Sequence, residues 1–501
     1  MKEVPLLQKY FGFGSFRSGQ KEAVQHILDG WNSLVIMPTG AGKSLIYQYA
    51  ALALRERTQD SRALTLVISP LIALMKDQVD SLLSHGISAT YINSTLSAAE
   101  QHRRSNDMLE GRYSLVYVAP ERLRQSSFLE ALKSMAIQLL VIDEAHCISS
   151  WGHDFRPDYR RIAQVRKGLG EPLTVALTAT ATKLVQDDIV GLLDMPDARR
   201  VVTGFNRPNL SFEVLYASGA QAKLQELSHL LRENISSSLL NSLGTVSPAS
   251  GGAGSGACII YTATRKEAEN VASFVGQNQP LPCAYYHAGM GASQRERIQN
   301  AWSSGALPIV VATNAFGMGI DRHDVRLVVH YNLPGTLEAY YQEAGRAGRD
   351  GKPSRAVLLY SPQDRSLQDF FIRQNSITSA ELYHLYQHLQ GLPKAGEGLS
   401  CHPQELSRAM GWDAQKLRLA LAHLEGAGIL QNAGFALAEE GALRLVLSRW
   451  EEQKARASTQ QIEAYTEHRK RQLEQMSDYA QAESCRRKIL LSYFSDRSAA
   501  V

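Results

Sequence analysis

The segment MPTGAGKS at residues 37–44 is the first stretch in which residue types and spacing could perform chemistry. It follows the apolar run SLVI and precedes the helix-like stretch LIYQYAALAL, which predicts a strand, a loop and a helix. Backbone N–H groups at a helix N-terminus attract phosphate, and Gly40 and Gly42 would let the backbone approach it closely. Lys43 would reach the β- and γ-phosphates, and the Ser44 hydroxyl would bind Mg²⁺. Because a methionine stands where the strict pattern begins with glycine, an ordinary strand–turn–helix remains an alternative.

A pair of carboxylates, Asp143 and Glu144, ends a second apolar run, LLVIDE. Parallel sheets gather ligands at the carboxyl ends of their strands, where this pair would project. One carboxylate can hold Mg²⁺, usually through water, and the other can polarise an attacking water for phosphoryl transfer. Buried carboxylates without such a role are costly, which favours the catalytic interpretation. His146 fits either a core histidine or a relay between the carboxylates and the loop behind them.

The loop behind this pair interleaves aromatic and charged residues. Its rings are Trp151, Phe155 and Tyr159, and their charged or titratable neighbours are His153, Asp154, Arg156 and Arg160. Stacking on aromatic rings binds single-stranded bases of any sequence at about 1–3 kcal/mol per base. Trp151 and Phe155 are suited to that task, and Arg156 can meet phosphate or fold back toward the nucleotide site. A small cluster of core aromatics is the alternative.

A third element, YYQEAGRAGRDG at residues 340–351, carries Arg346 and Arg349. The two are three residues apart, so on a helix they would face the same way. Planar guanidinium groups at this spacing could clamp a γ-phosphate from across a domain cleft, as an arginine finger does. Arginines on the surface of a solvated helix are the alternative. The neighbouring residues are small, which favours close approach: Ala344, Gly345, Ala347 and Gly348.

Two series of short apolar runs alternate with helix-length amphipathic stretches. The first comprises SLVIMP, LTLVISP, SLVYVAP, QLLVIDE and PLTVALTAT, and the second comprises ACIIYTAT, CAYYHAG, PIVVATN, RLVVHYN and RAVLLYS. Runs that are apolar at consecutive positions suit strands buried on both faces of a parallel sheet. We therefore predict an α/β fold with two tandem parallel-sheet domains, at residues 1–205 and 206–370. The Ser- and Gly-rich stretch at 236–257 predicts a flexible surface insertion.

Beyond about residue 370 the pattern changes from strands to helices. Residues 403–430 predict a helix, a turn and a second helix with an apolar face and terminal glycines. The face comprises Leu417, Leu421 and Leu424, and the glycines are Gly426 and Gly428. With NAGFALAEEGALRLVL as a β-wing, residues 371–450 resemble a winged-helix domain, which could contact DNA or other proteins. Residues 451–501 predict a helical segment whose basic HRKRQ and CRRK stretches suit a solvated face.

The composition fits a protein of a reducing compartment. The 501 residues are 44% hydrophobic and 20% charged, and the formal net charge of +4 permits a nucleic-acid partner without predicting one. The five cysteines are scattered and odd in number, which favours reduced thiols in a cytoplasm. No apolar run approaches the ~18 residues of a membrane span, and MKEVPLLQKY lacks the apolar core of a signal peptide. We therefore expect a cytoplasmic protein without a membrane partner, and we place it in a bacterial-type cytosol or nucleoid.

The motifs of this chain resemble those of the RecQ DNA helicases, within helicase superfamily two. The resemblance spans about residues 10–365, in the order and spacing of the family. It comprises FGFGSFRSGQ, MPTGAGKS, VISPLIALMKDQV, YVAPERL, DEAH, ALTATAT, FNRPNL, VVATNAFGMGIDRHDVR and the arginine motif. The aromatic loop behind DEAH is especially specific, because general RNA helicases of the superfamily lack it.

The resemblance implies two RecA-like motor domains and an ATP-hydrolysing isomerase that acts on DNA. Such an enzyme would unwind duplex DNA with 3′-to-5′ polarity in recombination and repair, with ATP and Mg²⁺ as cofactors. Its partners would be single-stranded DNA and tailed or forked duplexes. We expect the motor to act as a monomer.

At matching positions the resemblance assigns roles to individual residues. The adenine would contact Phe13, Arg17 and Gln20, and the phosphates with Mg²⁺ would contact Thr39, Gly40, Ala41, Gly42, Lys43 and Ser44. The metal and water residues would be Asp143 and Glu144. The second domain would meet the nucleotide through Gly319, Asp321, Gln342, Arg346 and Arg349. DNA binding would be coupled to hydrolysis by His146, Trp151, His153, Phe155 and Arg156.

The C-terminal region departs from the family pattern. RecQ enzymes usually carry four zinc-binding cysteines after the motor and then a winged helix. Here AESCRRKILLSYFSD at 482–496 resembles the stretch that holds the first of these, Cys485, and the winged-helix-like stretch precedes it. Because a tetrahedral site needs four ligands and no other cysteine is suitably spaced, we expect no zinc site in this chain as given.

Two other hypotheses remain open from the sequence. The same motor could serve an RNA helicase or a translocase that does not unwind. A DNA-bound scaffold with a degenerate motor is a third hypothesis, which the intact Lys43, Glu144 and Arg349 speak against.

Overall fold

The chain divides into two units, one of which holds most of the residues. The computed structural model describes residues 4–58, 62–70, 72–152, 154, 156–236, 256–317, 322–374, 376–395, 398–431, 443–448, 450 and 452–496. The larger unit comprises Met1–Asp364 with Met476–Val501, and the smaller comprises Arg365–Gln475. The domain boundaries predicted from the sequence, 1–205, 206–370, 371–450 and 451–501, stay predictions.

A seven-stranded parallel sheet forms the first half of the larger unit, in the order β3-β4-β2-β5-β6-β1-β7. Its strands are β1 Ser33–Ile36, β2 Leu64–Ile68, β3 Ala89–Ile92, β4 Leu115–Val118, β5 Ile137–Ile142, β6 Thr174–Thr178 and β7 Arg199–Val202. Its helices are α1 Val4–Phe11, α2 Gln20–Leu28, α3 Lys43–Thr58, α4 Ile72–Ser84, α5 Ala98–Leu109, α6 Ser126–Lys133, α7 Arg161–Gly168 and α8 Lys183–Leu192. The strands β1, β2 and β6 are buried at every position and β5 over its last four residues, as expected where helices cover both faces of a parallel sheet.

A six-stranded parallel sheet forms the second half, in the order β10-β11-β9-β12-β13-β8. Its strands are β8 Leu210–Tyr216, β9 Ala257–Tyr261, β10 Cys283–Tyr286, β11 Ile309–Ala312, β12 Val325–His330 and β13 Ser354–Tyr360. The α-helices between its strands, within the described residues, are α9 Ala220–Leu231, α10 Arg265–Asn278, α11 Ala292–Ser303 and α12 Leu337–Ala344. The predicted pair of tandem parallel-sheet domains is therefore confirmed. The predicted surface insertion lies almost entirely outside the described residues.

The sequence analysis missed three strands, β3, β7 and β8. All three lie at the edge of a sheet, where fewer neighbours cover the strand. Their sequences, ATYI, RRVV and LSFEVLY, mix polar and apolar residues instead of forming a continuous apolar run. A search for buried strands therefore passes over them, whereas the doubly covered central strands stand out.

The smaller unit combines helices with a four-stranded antiparallel sheet. The helices are α13 Gln363–Gln374, α14 Ser379–Gln390, α15 Pro403–Met410, α16 Ala414–Gly426 and α17 Glu452–Gln481, the first and last of which extend beyond the unit. The strands are β14 Lys394–Ala395, β15 Gly398–Cys401, β16 Leu430–Gln431 and β17 Leu443–Leu447. The predicted leucine face of α16 is buried, which agrees with a winged-helix-like core. Most of the predicted wing lies outside the described residues. The C-terminal helix α18, Arg486–Tyr493, belongs to the larger unit.

Candidate nucleotide and coupling site

The carboxyl ends of four neighbouring strands of the first sheet bring the predicted site residues together. The order β2-β5-β6-β1 places Ser69 after β2, Asp143 after β5, Thr178 at the end of β6 and the glycine loop after β1. Residues from distant parts of the sequence therefore meet at one edge, as ligand sites of open parallel sheets do.

The loop after β1 has the backbone that a phosphate-binding loop requires. Gly40 and Gly42 have φ values of +81° and +83°, a left-handed conformation that favours glycine. The helix α3 begins at Lys43, so its first N–H groups face the loop. The Lys43 ammonium donates to Met37 O at 3.1 Å. Burial lowers the pKa of Lys43, and the nearby Glu144 charge partly offsets this effect.

Two residues that precede the first sheet hold this loop. The Gln20 amide donates to Ala41 O at 3.1 Å and to Gly42 O at 3.0 Å, and the Arg17 guanidinium donates to Gly40 O at 2.9 Å. A Cβ on Gly42 would lie 2.5 Å from Gln20 Nε2, so a larger residue there would displace the Gln20 amide. Phe13 is 50% exposed. The roles of these side chains in adenine recognition stay predictions.

Asp143 and Glu144 lie beside Lys43 at the end of β5. Asp143 is 8% exposed, and its carboxylate accepts from the Glu144 N–H at 3.0 Å and from the Ser69 hydroxyl at 3.4 Å. Burial raises the pKa of Asp143 to about 7, and the adjacent Glu144 charge contributes. Glu144 adopts a left-handed backbone, with φ +47° and ψ +47°. Such strain in a residue other than glycine typically persists at functional sites.

His146 connects the carboxylate pair to the end of β6. Its ring is fully buried, and Nδ1 lies 2.9 Å from the Thr178 hydroxyl and 3.3 Å from Glu144 Oε2. Burial alone would lower the pKa of His146, but the neighbouring Cys147 and Glu144 raise it well above its usual value. The role of His146 as a relay between Glu144 and the following loop stays a prediction. Sequence reasoning did not single out Thr178.

The aromatic loop is tied to the carboxylates by a ring that the sequence analysis did not select. The Tyr159 hydroxyl donates to the backbone carbonyl of Asp143 at 2.9 Å, and the ring is fully buried. Arg156 donates to Pro70 O at 3.1 Å and forms an ion pair with Asp154 at 3.1 Å. Trp151 is half-buried. His153 and Phe155, both predicted to contact DNA, lie outside the described residues.

The arginine motif reaches the glycine loop from the second sheet. The Arg349 side chain lies against Gly40, since a Cβ on that glycine would be 3.2 Å from Arg349 Cγ. Arg346 is buried and lies beside Gly317 and Tyr261. Gln342, also buried, lies on α12. Gly319 and Asp321 lie outside the described residues.

The expectation that the two arginines share a helix face is wrong. The helix α12 ends at Ala344, and both arginines follow in a series of turns. Gly348, between them in the sequence, has a φ of +60°, which a continuing helix would not accommodate. The small residues that favour close approach also end the helix.

Comparison with protein families matches three parts of the chain. Residues 17–188 match the DEAD/DEAH box helicase family, and residues 249–351 match the helicase conserved C-terminal domain. Residues 447–500 match the RecQ zinc-binding family.

Curated relatives extend these matches to most of the chain. The ATP-dependent DNA helicase RecQ of Bacillus subtilis (strain 168) is 42% identical over 403 residues, which cover 80% of this chain and 62% of that protein. The probable ATP-dependent DNA helicase RecS of the same organism is 40% identical over 387 residues, covering 77% of this chain and 72% of that protein. The chain thus spans 62% of the RecQ relative and a larger share of the RecS relative.

Solved structures share the fold at low sequence identity. The Mycobacterium smegmatis helicase Lhr bound to ssDNA and AMP-PNP has a TM-score of 0.57 at 18% identity, covering 91% of this chain and 61% of that chain. The DEAD-box helicase Mss116 bound to ssRNA and UDP-BeF has a TM-score of 0.59 at 15% identity, covering 84% of this chain and 88% of that chain. These likenesses support the two-domain RecA-like architecture.

The expectation of no zinc site is contradicted by the match of residues 447–500 to a zinc-binding family. The expectation was based only on the number and spacing of the cysteines, whereas the family match extends over the whole helical segment that contains Cys485. Cys485 is exposed at the N-terminus of α18. Among the described residues, the group with three potential metal ligands within reach of one another is His146, Cys147 and Asp154.

None of the helices among the described residues combines the length and the apolar character needed to cross a membrane.

Proposed function

Because this chain belongs to the RecQ family of DNA helicases, we propose that it couples ATP hydrolysis to 3′-to-5′ translocation on single-stranded DNA. This movement would unwind tailed or forked duplexes during DNA recombination and repair. One observation carries the proposal: the glycine loop, the Asp143–Glu144 pair and Arg349 converge from two domains on one edge of the first sheet. Such a convergence suits a triphosphate whose hydrolysis depends on closure between the domains.

Each side chain at this edge has a distinct task in the proposed reaction. The loop N–H groups and Lys43 hold the phosphates, and Ser44 with Asp143 would hold Mg²⁺, which neutralises phosphate charge. Glu144 orients the attacking water from its left-handed backbone position directly after Asp143. Arg349 stabilises the charge that develops on the transferred phosphoryl group.

The connection to DNA follows from the contacts of the aromatic loop. Tyr159 binds the carbonyl of Asp143, and His146 lies against Glu144, so a shift of the loop on DNA would move the hydrolytic residues. Trp151 supplies a ring for base stacking in the same loop. The motor is proposed to act as a monomer. The five cysteines are free, which supports a reducing compartment such as the bacterial cytoplasm.

ATP turnover with different nucleic acids tests the proposal against its alternatives. We expect single-stranded DNA to stimulate turnover strongly and single-stranded RNA of the same length and base order to do so weakly. Stimulation by RNA alone would favour an RNA helicase. A chain that binds DNA but hydrolyses no ATP would instead be a scaffold with a degenerate motor.

Replacing Trp151 with Ala should separate DNA stimulation from basal turnover. The variant is expected to keep its basal ATPase rate and lose most of the stimulation by single-stranded DNA, because one stacking surface is lost. DNA affinity should fall only modestly, since phosphate contacts supply most of it. Stimulated turnover and melting temperature should be measured together.

Trp31→Ala is the matched control, because Trp31 is 41% exposed and precedes β1 at the opposite end of the strand. It should leave stimulation unchanged. If Trp151→Ala instead lowers stability by the ~3–5 kcal/mol typical of a buried ring, while stimulation survives, the ring is part of the core.

Mg·ATP binding should release a proton at acidic pH. Because the pKa of Asp143 is about 7 in the free chain, its carboxyl is mostly protonated at about pH 6. A cation bound there favours the ionised form, so the proton leaves, whereas at about pH 8.5 the carboxyl is already ionised. Calorimetry in buffers of different ionisation enthalpy measures this release. Asp143→Asn should abolish it, and the exposed Asp197→Asn should not.

A further inference from the structure

The linker between the two motor domains, residues 203–209 between β7 and β8, carries an arginine that donates hydrogen bonds to both domains. The Arg207 guanidinium donates to Thr39 O, in the glycine loop of the first domain, at 3.2 Å. Three further bonds reach carbonyl oxygens of the turn after α12, namely Gly345 at 3.1 Å, Ala347 at 3.0 Å and Gly348 at 3.0 Å. That turn contains both arginines of the arginine motif. Arg207 thus links the phosphate-binding loop to the residues that would act on the same phosphate.

The chemistry of these four bonds is specific to a guanidinium group. Arginine presents its donors in a planar, fixed fork, so one group can bind carbonyls of two different segments at once. A lysine ammonium keeps the charge but is compact and cannot span both segments in the same geometry. The exchange of Arg207 for Lys would therefore remove the bridge without removing the positive charge.

The C-terminal segment, residues 486–496, binds the same linker. Phe494 stacks on Phe205 with ring centroids 4.4 Å apart and an interplanar angle of 13°. The Asp496 carboxylate accepts a hydrogen bond from the Phe205 N–H. Arg487 donates to Pro208 O at 3.3 Å and to Leu210 O at 2.6 Å. These contacts lie on both sides of Arg207 in the sequence, so the segment fixes the backbone from which Arg207 extends.

The same segment also holds the helix that precedes the arginine motif. The Tyr493 hydroxyl donates to the Glu338 carboxylate at 2.6 Å, and the Phe494 ring lies 5.1 Å from that of Tyr341. Tyr341 in turn donates to Phe205 O at 2.5 Å. The linker, α12 and the C-terminal segment are therefore packed as one group.

We infer that Arg207 is a positioning residue for ATP hydrolysis, and that the C-terminal segment 486–496 sets its position by bracing the linker. The inference rests on the proposed function and adds to it a role for a segment far from the nucleotide. Arg207 would fix how closely the arginine motif approaches the phosphates. When a change far from the reacting atoms displaces catalytic groups by about 1 Å, the rate can fall about 100-fold.

Steady-state ATP hydrolysis with saturating single-stranded DNA tests the first part. Arg207→Lys should lower kcat by about 100-fold while the KM for ATP changes little, because the bridge matters for alignment more than for binding. Arg166→Lys is the matched control. The buried Arg166 guanidinium also donates to two backbone carbonyls, of Leu193 and Asp194, and to the Thr174 hydroxyl near the amino end of β6. A similar fall in kcat in both variants, or none in Arg207→Lys, would overturn the positioning role.

A double-variant comparison tests the brace. Asp496→Ala and Phe494→Leu should each lower kcat in the same direction as Arg207→Lys, with a smaller effect. Adding Asp496→Ala to Arg207→Lys should lower kcat little further, because both changes disturb one arrangement. Fully multiplicative effects would show that the C-terminal segment acts independently of Arg207.

Hydrogen exchange provides a readout that does not require turnover. In the Asp496→Ala chain, amides of the turn at residues 345–349 should exchange faster than in wild type, whereas amides of β6 should be unchanged. Unchanged exchange in the turn would contradict the brace even if kcat fell. The two proposals can fail separately. If Asp496→Ala speeds exchange in the turn but the wild-type chain shows no DNA-stimulated ATP turnover, the proposed function is refuted and the brace remains.

Discussion

Glu144→Gln is expected to lose nearly all ATP turnover while ATP and single-stranded DNA still bind. The amide has the size of the carboxylate but cannot polarise an attacking water or accept its proton. A loss of about 10²–10⁴-fold in kcat is expected from the removal of such a group. Hydrolysis can be measured by quench-flow, and nucleotide and DNA binding by fluorescence anisotropy. Together these measurements show whether the variant is impaired in hydrolysis or in binding.

The chain contains a closely matched control for this variant. Glu171 is another glutamate with a left-handed backbone, at φ +56°, but it is exposed and precedes β6 at the opposite end of the strand. Glu171→Gln should hydrolyse ATP at the wild-type rate. Near-normal turnover in Glu144→Gln would show that the catalytic assignment is wrong.

Arg349→Ala should lower kcat by about 10³-fold with little change in the KM for ATP. An arginine supplied across a domain cleft acts mainly on the charge of the transition state, and removal of such a group has effects of this size. Lys43→Ala provides the contrast, because Lys43 would contact the phosphates in the ground state. That variant should weaken ATP binding as well as turnover.

The second-domain control is Arg355→Ala, which removes an arginine paired with Glu213 on neighbouring strands of the second sheet. Its kcat should stay close to wild type. If Arg349→Ala raised the KM for ATP by as much as it lowered kcat, Arg349 would act in ground-state binding instead.

The central strands could be predicted from the sequence, and so could the site residues that directly follow those strands. The run LLVIDE is apolar at consecutive positions because β5 is covered on both faces, and its carboxyl end carries Asp143 and Glu144. The order of the strands depends on long-range pairing, which the motifs alone do not determine. The mixed sequences of the edge strands gave no comparable pattern.

Contacts that cross the fold explain what sequence reasoning missed. Tyr159 has the same spacing pattern as the other rings of its loop, and only burial distinguishes it as the ring that binds Asp143. Arg207 lies in a motif that identifies the family but does not reveal its acceptors, which belong to two distant segments. The zinc expectation was wrong for a related reason, because the family signal of residues 447–500 resides in more than its cysteines.

Strand displacement with ATP tests the central claim most directly. A labelled duplex with a 3′ single-stranded tail should be unwound by the wild-type chain, and the same duplex with a 5′ tail should not. The Glu144→Gln chain, which is expected to bind both substrates, should unwind neither. Equal unwinding of both tails would contradict the proposed polarity, and failure to unwind any tailed or forked duplex during active ATP hydrolysis would contradict the helicase function itself.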